Sequence, residues 1–179
     1  VHPNDSKISA DSAIEVFPIL ERVYISMSQH LGAPAKPIVQ KGDKVKTGEL
    51  IATANGFISA NIHSSVSGTV VAVEPYKDMM GNLITHVIID VEGDEWVESI
   101  DRSPEVVREI KLASSDIIKR IGDCGIVGMG GASFPTHVKL APPPGKKAEV
   151  LIINGAECEP YLTSDYRLML EHPEEVLIG

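Results

Sequence analysis

The sequence predicts a multidomain α+β protein, with an all-β part first and the beginning of an α/β part after it. Two observations carry this prediction. Between residues 21 and 98, short runs of alternating β-branched and polar residues recur, separated by turn residues. Beyond that point, helical spacing and one continuous apolar run replace the alternation. We therefore expect one domain over residues 1–100 and a second, truncated one over 101–179.

Composition and charge exclude several classes of function. The 179 residues are 43% hydrophobic, which is enough for a folded core, and their formal net charge is −9. Non-specific nucleic-acid binding needs clustered Lys and Arg, which this chain lacks. Two cysteines, Cys124 and Cys158, are too few for a disulfide framework, a structural zinc site or an iron–sulfur cluster, so we expect no metal site here. No apolar run is long enough to span a membrane as a helix.

The all-β part is expected to contain about eight short strands in a small sandwich or barrel. The lead-in over residues 1–20 is mixed in character, with one short strand expected at 13–17. The clearest strand patterns lie at 23–26, 49–53, 68–73 and 86–91.

Two turn motifs in the β part resemble the barrel-sandwich hybrid of biotinyl and lipoyl carrier domains. They are KGDKVKTGE at 41–49 and SSVSGTV at 64–70. Carrier domains present a modifiable lysine at a hairpin tip, which here would fall at 55–59, and that segment, NGFIS, contains no lysine. We therefore interpret the module as a structural or docking domain on a carrier-like fold.

The second part begins with signals for two helices. Ser103, Pro104 and an acidic first turn predict a short helix that runs to about Leu112. A serine at 114 or 115 is expected to cap a second helix, with Gly122 as its stop. One face of this second helix carries three isoleucines, Ile117, Ile118 and Ile121.

The rest of the chain contains a linker, a strand and a final helix. Three consecutive prolines predict an exposed linker over 141–147. The apolar run 148–153 predicts a buried strand that ends at Asn154. Pro173, followed by two glutamates, predicts the first turn of a helix. Because this helix would begin just as the sequence stops, we expect a fragment of a longer protein.

A glycine-rich loop is the first candidate binding site. Gly128, Gly130, Gly131 and Ala132 leave the backbone amides almost uncovered, and successive amides of such a loop can converge on an anion. Lys139 would add a full positive charge. The loop fits neither the Walker pattern nor GxGxxG, because Ser133 stands where the third glycine would be. The pattern predicts a phosphate without identifying a nucleotide, and a turn that serves only close packing is the alternative.

An acidic turn directly after the predicted strand is the second candidate. Open α/β sheets bind ligands beyond the carboxyl ends of their strands, where Asn154, Glu157 and Glu159 stand. Asparagine both donates and accepts hydrogen bonds, and the glutamates accept them from hydroxyls or a ring N–H. The alternative is an acidic surface turn that caps the next helix. Together with the glycine loop, the turn predicts a flavin or nicotinamide nucleotide.

Both segments resemble the RnfC family, the peripheral C subunits of Rnf electron-transport complexes. The resemblance lies in GIVGMGGASFPTHVKL at 125–140 and NGAECEPY at 154–161, and SQHLGAPAKP at 28–37 and VSGTV at 66–70 agree with it. Related proteins include the flavoprotein subunit of complex I. The resemblance implies a barrel-sandwich hybrid up to about residue 100, followed by the start of an FMN- and NADH-binding α/β domain.

By analogy with complex I, the resemblance also implies roles for single residues. The loop residues Gly128, Gly130, Gly131 and Ala132 would approach the flavin, and Lys139 would neutralise its phosphate. Asn154 and Glu157 would bind the flavin, and Glu159 would contact the nicotinamide nucleotide. Two residues depart from complex I: Ser133 replaces a glycine, and Ala156 replaces an aspartate, which removes one polar contact. No residue is expected to act as a catalytic acid or base.

The function implied by the resemblance is that of a peripheral electron-entry subunit in a membrane ion-translocating oxidoreductase. Electrons would pass between NAD(H), FMN and 4Fe-4S clusters at the cytoplasmic face of the bacterial plasma (inner) membrane, with the other subunits as partners. The clusters would be bound beyond residue 179, and the fragment alone would be inactive. Two alternatives stay open: a non-catalytic scaffold or quinone-binding protein, like the A subunit of the sodium-translocating quinone reductase, and a soluble flavoprotein of the cobalamin-reductase type.

The remaining reactive side chains are expected to have structural roles. Four histidines, at 30, 63, 86 and 137, stand outside any metal-ligand spacing, and we interpret them as solvated or hydrogen-bonded. Cys158 lies within the proposed site, where we expect a buried, inert thiol.

Overall fold

A computed structural model describes residues 6–78 and 80–179 of the chain. These residues fall into two compact units. The first, which we call the β unit, comprises Ile19–Arg102 and Leu112–Lys146. The second, the C-terminal unit, comprises residues 6–18, Ser103–Lys111 and Lys147–Gly179. The expected domain boundary near residue 100 stays a prediction.

Seven strands and four helices are present in the described residues. The strands are β1 (Arg22–Ser26), β2 (Lys36–Pro37), β3 (Lys44–Val45), β4 (Leu50–Thr53), β5 (Ile62–His63), β6 (Gly68–Lys77) and β7 (Leu83–Val91). The four clearest strand patterns are confirmed as β1, β4, β6 and β7. The helices are α1 (Ser114–Asp123), α2 (Thr136–Lys139), α3 (Ser164–Glu171) and α4 (Pro173–Ile178).

Two antiparallel sheets form the β unit. The larger has the strand order β1-β7-β6-β3, and the smaller has the order β2-β4-β5. β6 and β7 pair from Gly68 opposite Val91 to Lys77 opposite Leu83. Both sheets contribute to one core, which includes Ile25, Val70, Val87 and Ile89 from the larger sheet and Ile51, Ala52 and Ile62 from the smaller.

The segment that corresponds to a carrier tip lies where the turn motifs place it. Residues 54–61 connect β4 to β5, and Phe57 in that connection is exposed. The Ser59 hydroxyl donates to the Ala33 carbonyl at 2.8 Å, which ties the connection to the segment before β2. Because this connection contains no lysine, we continue to interpret the module as a structural or docking domain and not as a carrier.

Two predicted elements of the lead-in and of the domain link do not form. Residues 13–17 form no strand, and residues 103–112 contain no helix. A short helix must recover its nucleation cost by packing an apolar face, and here Val107 and Ile110 are exposed. The strand at 13–17 lacks a neighbour among the described residues, and the Ile14 N–H bonds instead to the Glu171 carboxylate at 3.0 Å.

Helix α1 forms as predicted, with different ends. Its N-cap residue is Ala113, without a side-chain cap bond among the described residues, and its C-cap is Cys124. Gly122 does not stop the helix. It lies inside it, where a Cβ would stand 3.3 Å from the His137 ring, and the chain turns instead at Gly125, with φ 68°.

The predicted strand at 148–153 does not form in the described residues. The segment has no regular secondary structure, and Ile152 is 83% exposed. A strand persists only where a neighbour accepts its N–H groups and donates to its carbonyls, and the described part of the C-terminal unit contains no other strand. The exposed linker at 141–147 and the helix starting at Pro173 are both confirmed. No helix among the described residues combines the length and apolarity that crossing a bilayer requires.

Candidate functional site

The glycine loop projects from a closed base in the β unit. Val127 and Pro135 form an antiparallel bridge across that base. Above it, the Gly128 N–H donates to the Phe134 carbonyl at 2.9 Å, and below it the Thr136 N–H donates to the Ile126 carbonyl at 3.0 Å. Residues 129–132 therefore form the tip of the loop, and α2 follows its second leg directly.

The tip leaves its backbone open to an approaching group. A Cβ added at Gly130 or Gly131 would meet no atom within 4 Å, and Ala132 is exposed. The Met129 side chain at the tip is 93% exposed. Backbone amides with open space beside them can hydrogen-bond an anion.

Lys139 brings its charge to the same loop. A Cβ at Gly128 would lie 2.5 Å from the Lys139 Nζ, so the ammonium occupies the space that a side chain there would fill. Among the described residues, Lys139 forms no ion pair with a carboxylate. The ammonium therefore lies at Gly128, where the loop begins, and its role in binding a phosphate stays a prediction.

Ser133 has a backbone conformation that favours glycine. Its φ of 51° lies in the left-handed region, where a non-glycine residue costs about 1–2 kcal/mol. The Ser133 carbonyl accepts the Leu31 N–H at 3.2 Å, which fixes this leg of the loop to the segment after β1. The backbone at position 133 therefore has a conformation that glycine adopts without strain, although the residue here is a serine.

Gly125 anchors the other leg. A Cβ there would lie 2.1 Å from the Asn61 carbonyl oxygen, so only glycine fits. The Asn61 side-chain amide also donates to the Asp123 carbonyl at 3.1 Å, at the end of α1. No local pattern marks Asn61 as an anchor, because its partner is more than sixty residues away in the sequence.

A polar cleft of about 180 Å³ lies beside this anchor, lined in part by His30, Asn61, His63 and Cys124. The His30 Nε2 accepts the Ala60 N–H at 3.2 Å. Burial lowers the pKa of His63. Within the described residues, no three His, Cys, Asp or Glu side chains gather closely enough to hold a metal ion.

The acidic turn belongs to the C-terminal unit, and its three predicted residues have different surroundings. The Asn154 Oδ1 accepts the Ala156 N–H at 3.0 Å, which closes a tight turn. Glu159 is exposed. The Glu157 side chain is only 7% exposed, and its carboxylate accepts the Lys7 Nζ at 3.2 Å and the Asp165 N–H at 2.9 Å.

Hydrogen bonds keep the Glu157 carboxylate ionised. Burial of the side chain acts to raise its pKa, but the Asp165 N–H and the Lys7 ammonium outweigh burial, and the net pKa is lowered. Lys7 lies 150 residues away in the sequence, so no spacing argument identifies it. Cys158, expected to be buried, is exposed, because the turn lies on the surface of its unit.

The predicted site residues are thus divided between the two units. Gly128, Gly130, Gly131, Ala132 and Lys139 belong to the β unit, where the structure brings the loop and the lysine together. Asn154, Glu157 and Glu159 belong to the C-terminal unit.

Comparison with known families and proteins shows the family to which the chain belongs. Residues 1–94 match the sequence model of the RnfC barrel sandwich hybrid domain, and residues 121–179 match that of the Nuo51 FMN-binding domain. The chain belongs to the RnfC family. This confirms both the resemblance seen in the motifs and the fold class, a barrel-sandwich hybrid followed by the start of an FMN-binding domain.

Relatives from three bacteria, each the C subunit of its complex, agree with membership in the RnfC family. The chain is 52% identical over 182 residues to that of the proton-translocating ferredoxin:NAD(+) oxidoreductase complex of Clostridium ljungdahlii, covering 100% of the chain and 39% of that protein. It is 47% identical over 160 residues to that of the Na(+)-translocating ferredoxin:NAD(+) oxidoreductase complex of Acetobacterium woodii, covering 89% of the chain and 35% of that protein. It is 41% identical over 183 residues to the C subunit of the ion-translocating oxidoreductase complex of Rhodobacter capsulatus, covering 100% of the chain and 34% of that protein. The chain thus spans well under half the length of these relatives.

Proposed function

We propose that the protein containing this chain is the peripheral electron-entry subunit of an ion-translocating ferredoxin:NAD oxidoreductase complex. Membership in the RnfC family and the names of the relatives support this proposal. The proposed partners are the other subunits of the complex, and the proposed location is the cytoplasmic face of the plasma (inner) membrane. The 4Fe-4S clusters would be bound by a part of the protein outside this chain.

One observation assigns the proposed role to specific residues. The Lys139 ammonium lies against Gly128, where the loop begins, and the tip of the loop is open at Gly130 and Gly131. A phosphate needs a positive charge and hydrogen-bond donors. In this proposal Lys139 supplies the charge, and the N–H groups of the open tip, on a base closed by hydrogen bonds, supply the donors. Since residues 121–179 match an FMN-binding domain, FMN is the phosphate-bearing ligand that we propose.

When bound, FMN supplies the hydride and one-electron chemistry, and the chain supplies binding and orientation. Gly130, Gly131 and Ala132 would present backbone amides to the flavin. Gly128, whose N–H is bonded within the loop, would allow the flavin to approach closely, and Lys139 would neutralise the phosphate. In the C-terminal unit, Asn154 and Glu157 would accept hydrogen bonds from the flavin, and Glu159 would contact the nicotinamide nucleotide. Its exposure leaves Glu159 accessible to such a second ligand.

The proposal is tested by FMN binding to the full-length protein, measured by quenching of flavin fluorescence. Removing a charge-assisted hydrogen bond of about 1.5–3 kcal/mol should weaken binding at least tenfold in Lys139→Ala. The matched control is Lys146→Ala, which removes an exposed lysine of the same unit from the linker and should leave affinity unchanged. Equal affinities for Lys139→Ala and the wild type would contradict the assignment of the phosphate site.

A further inference from the structure

A segment near the start of the chain is packed against the acidic turn rather than being a free lead-in. Residues 7–14, which we call the N-terminal strap, lie in the C-terminal unit together with Lys147–Gly179. The Lys7 Nζ donates to the Glu157 carboxylate at 3.2 Å and also to the Leu162 carbonyl. A single ammonium thus links the acidic turn to the residues that lead into α3.

Further contacts continue along the strap. The hydroxyls of Ser9 and Thr163 share a hydrogen bond of 2.8 Å, and Thr163 is buried. The Arg167 guanidinium donates to the Ala10 carbonyl at 3.0 Å, from the middle of α3. At the far end, the Ile14 N–H donates to the Glu171 carboxylate. The strap therefore follows α3 from its first turn to its last.

These contacts replace the usual cap of α3. Thr163 occupies the N-cap position, yet among the described residues it makes no side-chain cap bond, and its hydroxyl is hydrogen-bonded to Ser9. Glu157 accepts the Asp165 N–H of the first turn instead. The carboxylate that caps the helix is the same one that Lys7 binds, so the acidic turn, the helix start and the strap form one connected group.

We propose that Lys7 is a positioning residue of the flavin site, which acts by holding the Glu157 carboxylate and the acidic turn in place. This inference rests on the proposed function, since Glu157 is one of the residues proposed to bind FMN. A carboxylate with a side chain only 7% exposed is costly to keep ionised without a paired charge, and Lys7 provides that charge. The geometry of the turn therefore depends on a residue about 150 positions before it.

The test uses the full-length protein and two measurements, FMN affinity and hydrogen exchange of the amides at 164–166. Lys7→Met should weaken FMN binding about tenfold, as expected for a lost charge-assisted bond, and should speed exchange at the start of α3. Lys7→Arg keeps the positive charge, so it should restore most of the FMN affinity and most of the protection from exchange. The matched control is Lys147→Met, an exposed lysine of the same unit, for which no change is expected.

A double variant separates positioning from a general loss of stability. If Lys7 acts through Glu157, then Lys7→Met should add little to the loss of FMN affinity already caused by Glu157→Gln. If Lys7→Met fails to fold, Ser9→Ala removes only the hydroxyl contact to Thr163 and should give smaller changes in the same direction.

Wild-type affinity and exchange in both Lys7→Met and Ser9→Ala would overturn the proposal, as would full additivity of the Lys7 and Glu157 changes. Failure of the wild-type protein to bind FMN would overturn the proposed function and, with it, the positioning role. In that case, faster exchange in Lys7→Met would still show the strap holding α3, so the two failures are distinguishable.

Discussion

The Lys139 Nζ lies where a side chain at position 128 would have to stand, 2.5 Å from the Cβ that Gly128 lacks. The missing side chain of Gly128 and the position of the Lys139 charge are therefore linked, because the ammonium lies in the space that a Cβ at position 128 would need. Gly128 leaves the space, and the ammonium of the flexible Lys139 side chain occupies it.

This relationship predicts the effect of Gly128→Ala. The added methyl should displace the Lys139 ammonium at little cost in stability, because the far end of a lysine moves easily. FMN affinity should fall about tenfold, since the charge leaves the phosphate position. Affinities of Gly128→Ala, Lys139→Ala and the double variant, measured by flavin fluorescence, check this. The double variant should bind about as weakly as Lys139→Ala, and independent, additive losses would contradict the account.

Gly125→Ala should destabilise the β unit severely. The new Cβ would stand 2.1 Å from the Asn61 carbonyl oxygen, at a φ of 68° that strains any other residue. Strain and overpacking together predict a loss of about 2–4 kcal/mol in the free energy of unfolding, measured by chemical denaturation. Gly145→Ala is the control, because its φ of 78° is similar but no atom lies within 4 Å of the Cβ. Equal losses in both variants would show that the contact with Asn61 contributes nothing.

Ser133→Gly should slightly stabilise the protein, and Ser133→Val should destabilise it. Relief of a left-handed conformation at φ 51° outweighs the extra freedom of glycine in the unfolded chain by about 0.5 kcal/mol. Valine has the same backbone cost and a branched Cβ as well, so a loss of about 1–2 kcal/mol is expected. Thermal denaturation of the three proteins checks the order. A glycine variant less stable than the valine variant would be incompatible with the observed backbone.

The lowered pKa of Glu157 predicts a pH-dependent contribution to stability. Folding favours the ionised carboxylate, so this contribution is fully present above the ordinary glutamate value of 4.5 and is lost as the pH falls through the lower, folded value. Glu157→Gln should therefore be less stable than the wild type at pH 7, with a difference that shrinks below about pH 4. Denaturation curves at both pH values measure this difference, and one that grew on acidification would refute the assigned direction.

The parts of the fold that follow local rules were predictable from the sequence. Alternation of apolar and polar residues predicted β1, β4, β6 and β7. In β7 the alternate residues Val87 and Ile89 enter the common core, whereas β4 contributes the adjacent Ile51 and Ala52. Pro173 with its acidic neighbours predicted α4, whose first turn they form. Such signals act within a few residues, so a single sequence contains them in full.

The errors arose where structure depends on distant partners. The apolar run at 148–153 has the composition of a buried strand, but a strand needs a neighbour, and none lies in the described part of its unit. Residues 103–112 carry good capping signals, but their apolar side chains Val107 and Ile110 are exposed and pack against no core in the described residues. In the candidate site, composition identified the loop and the acidic turn, whereas the anchors Asn61 and Lys7 are non-local and left no sequence signal.

The central claim is that this chain forms part of a flavin site that accepts electrons from NADH or delivers them to NAD. The most direct measurement is the visible spectrum of the full-length protein, purified without oxygen and reconstituted with FMN, before and after addition of NADH. We predict flavin absorbance that NADH bleaches, with the bleaching diminished in Lys139→Ala and in Glu159→Gln. A protein that binds no FMN, or whose bound FMN ignores NADH, would contradict the account.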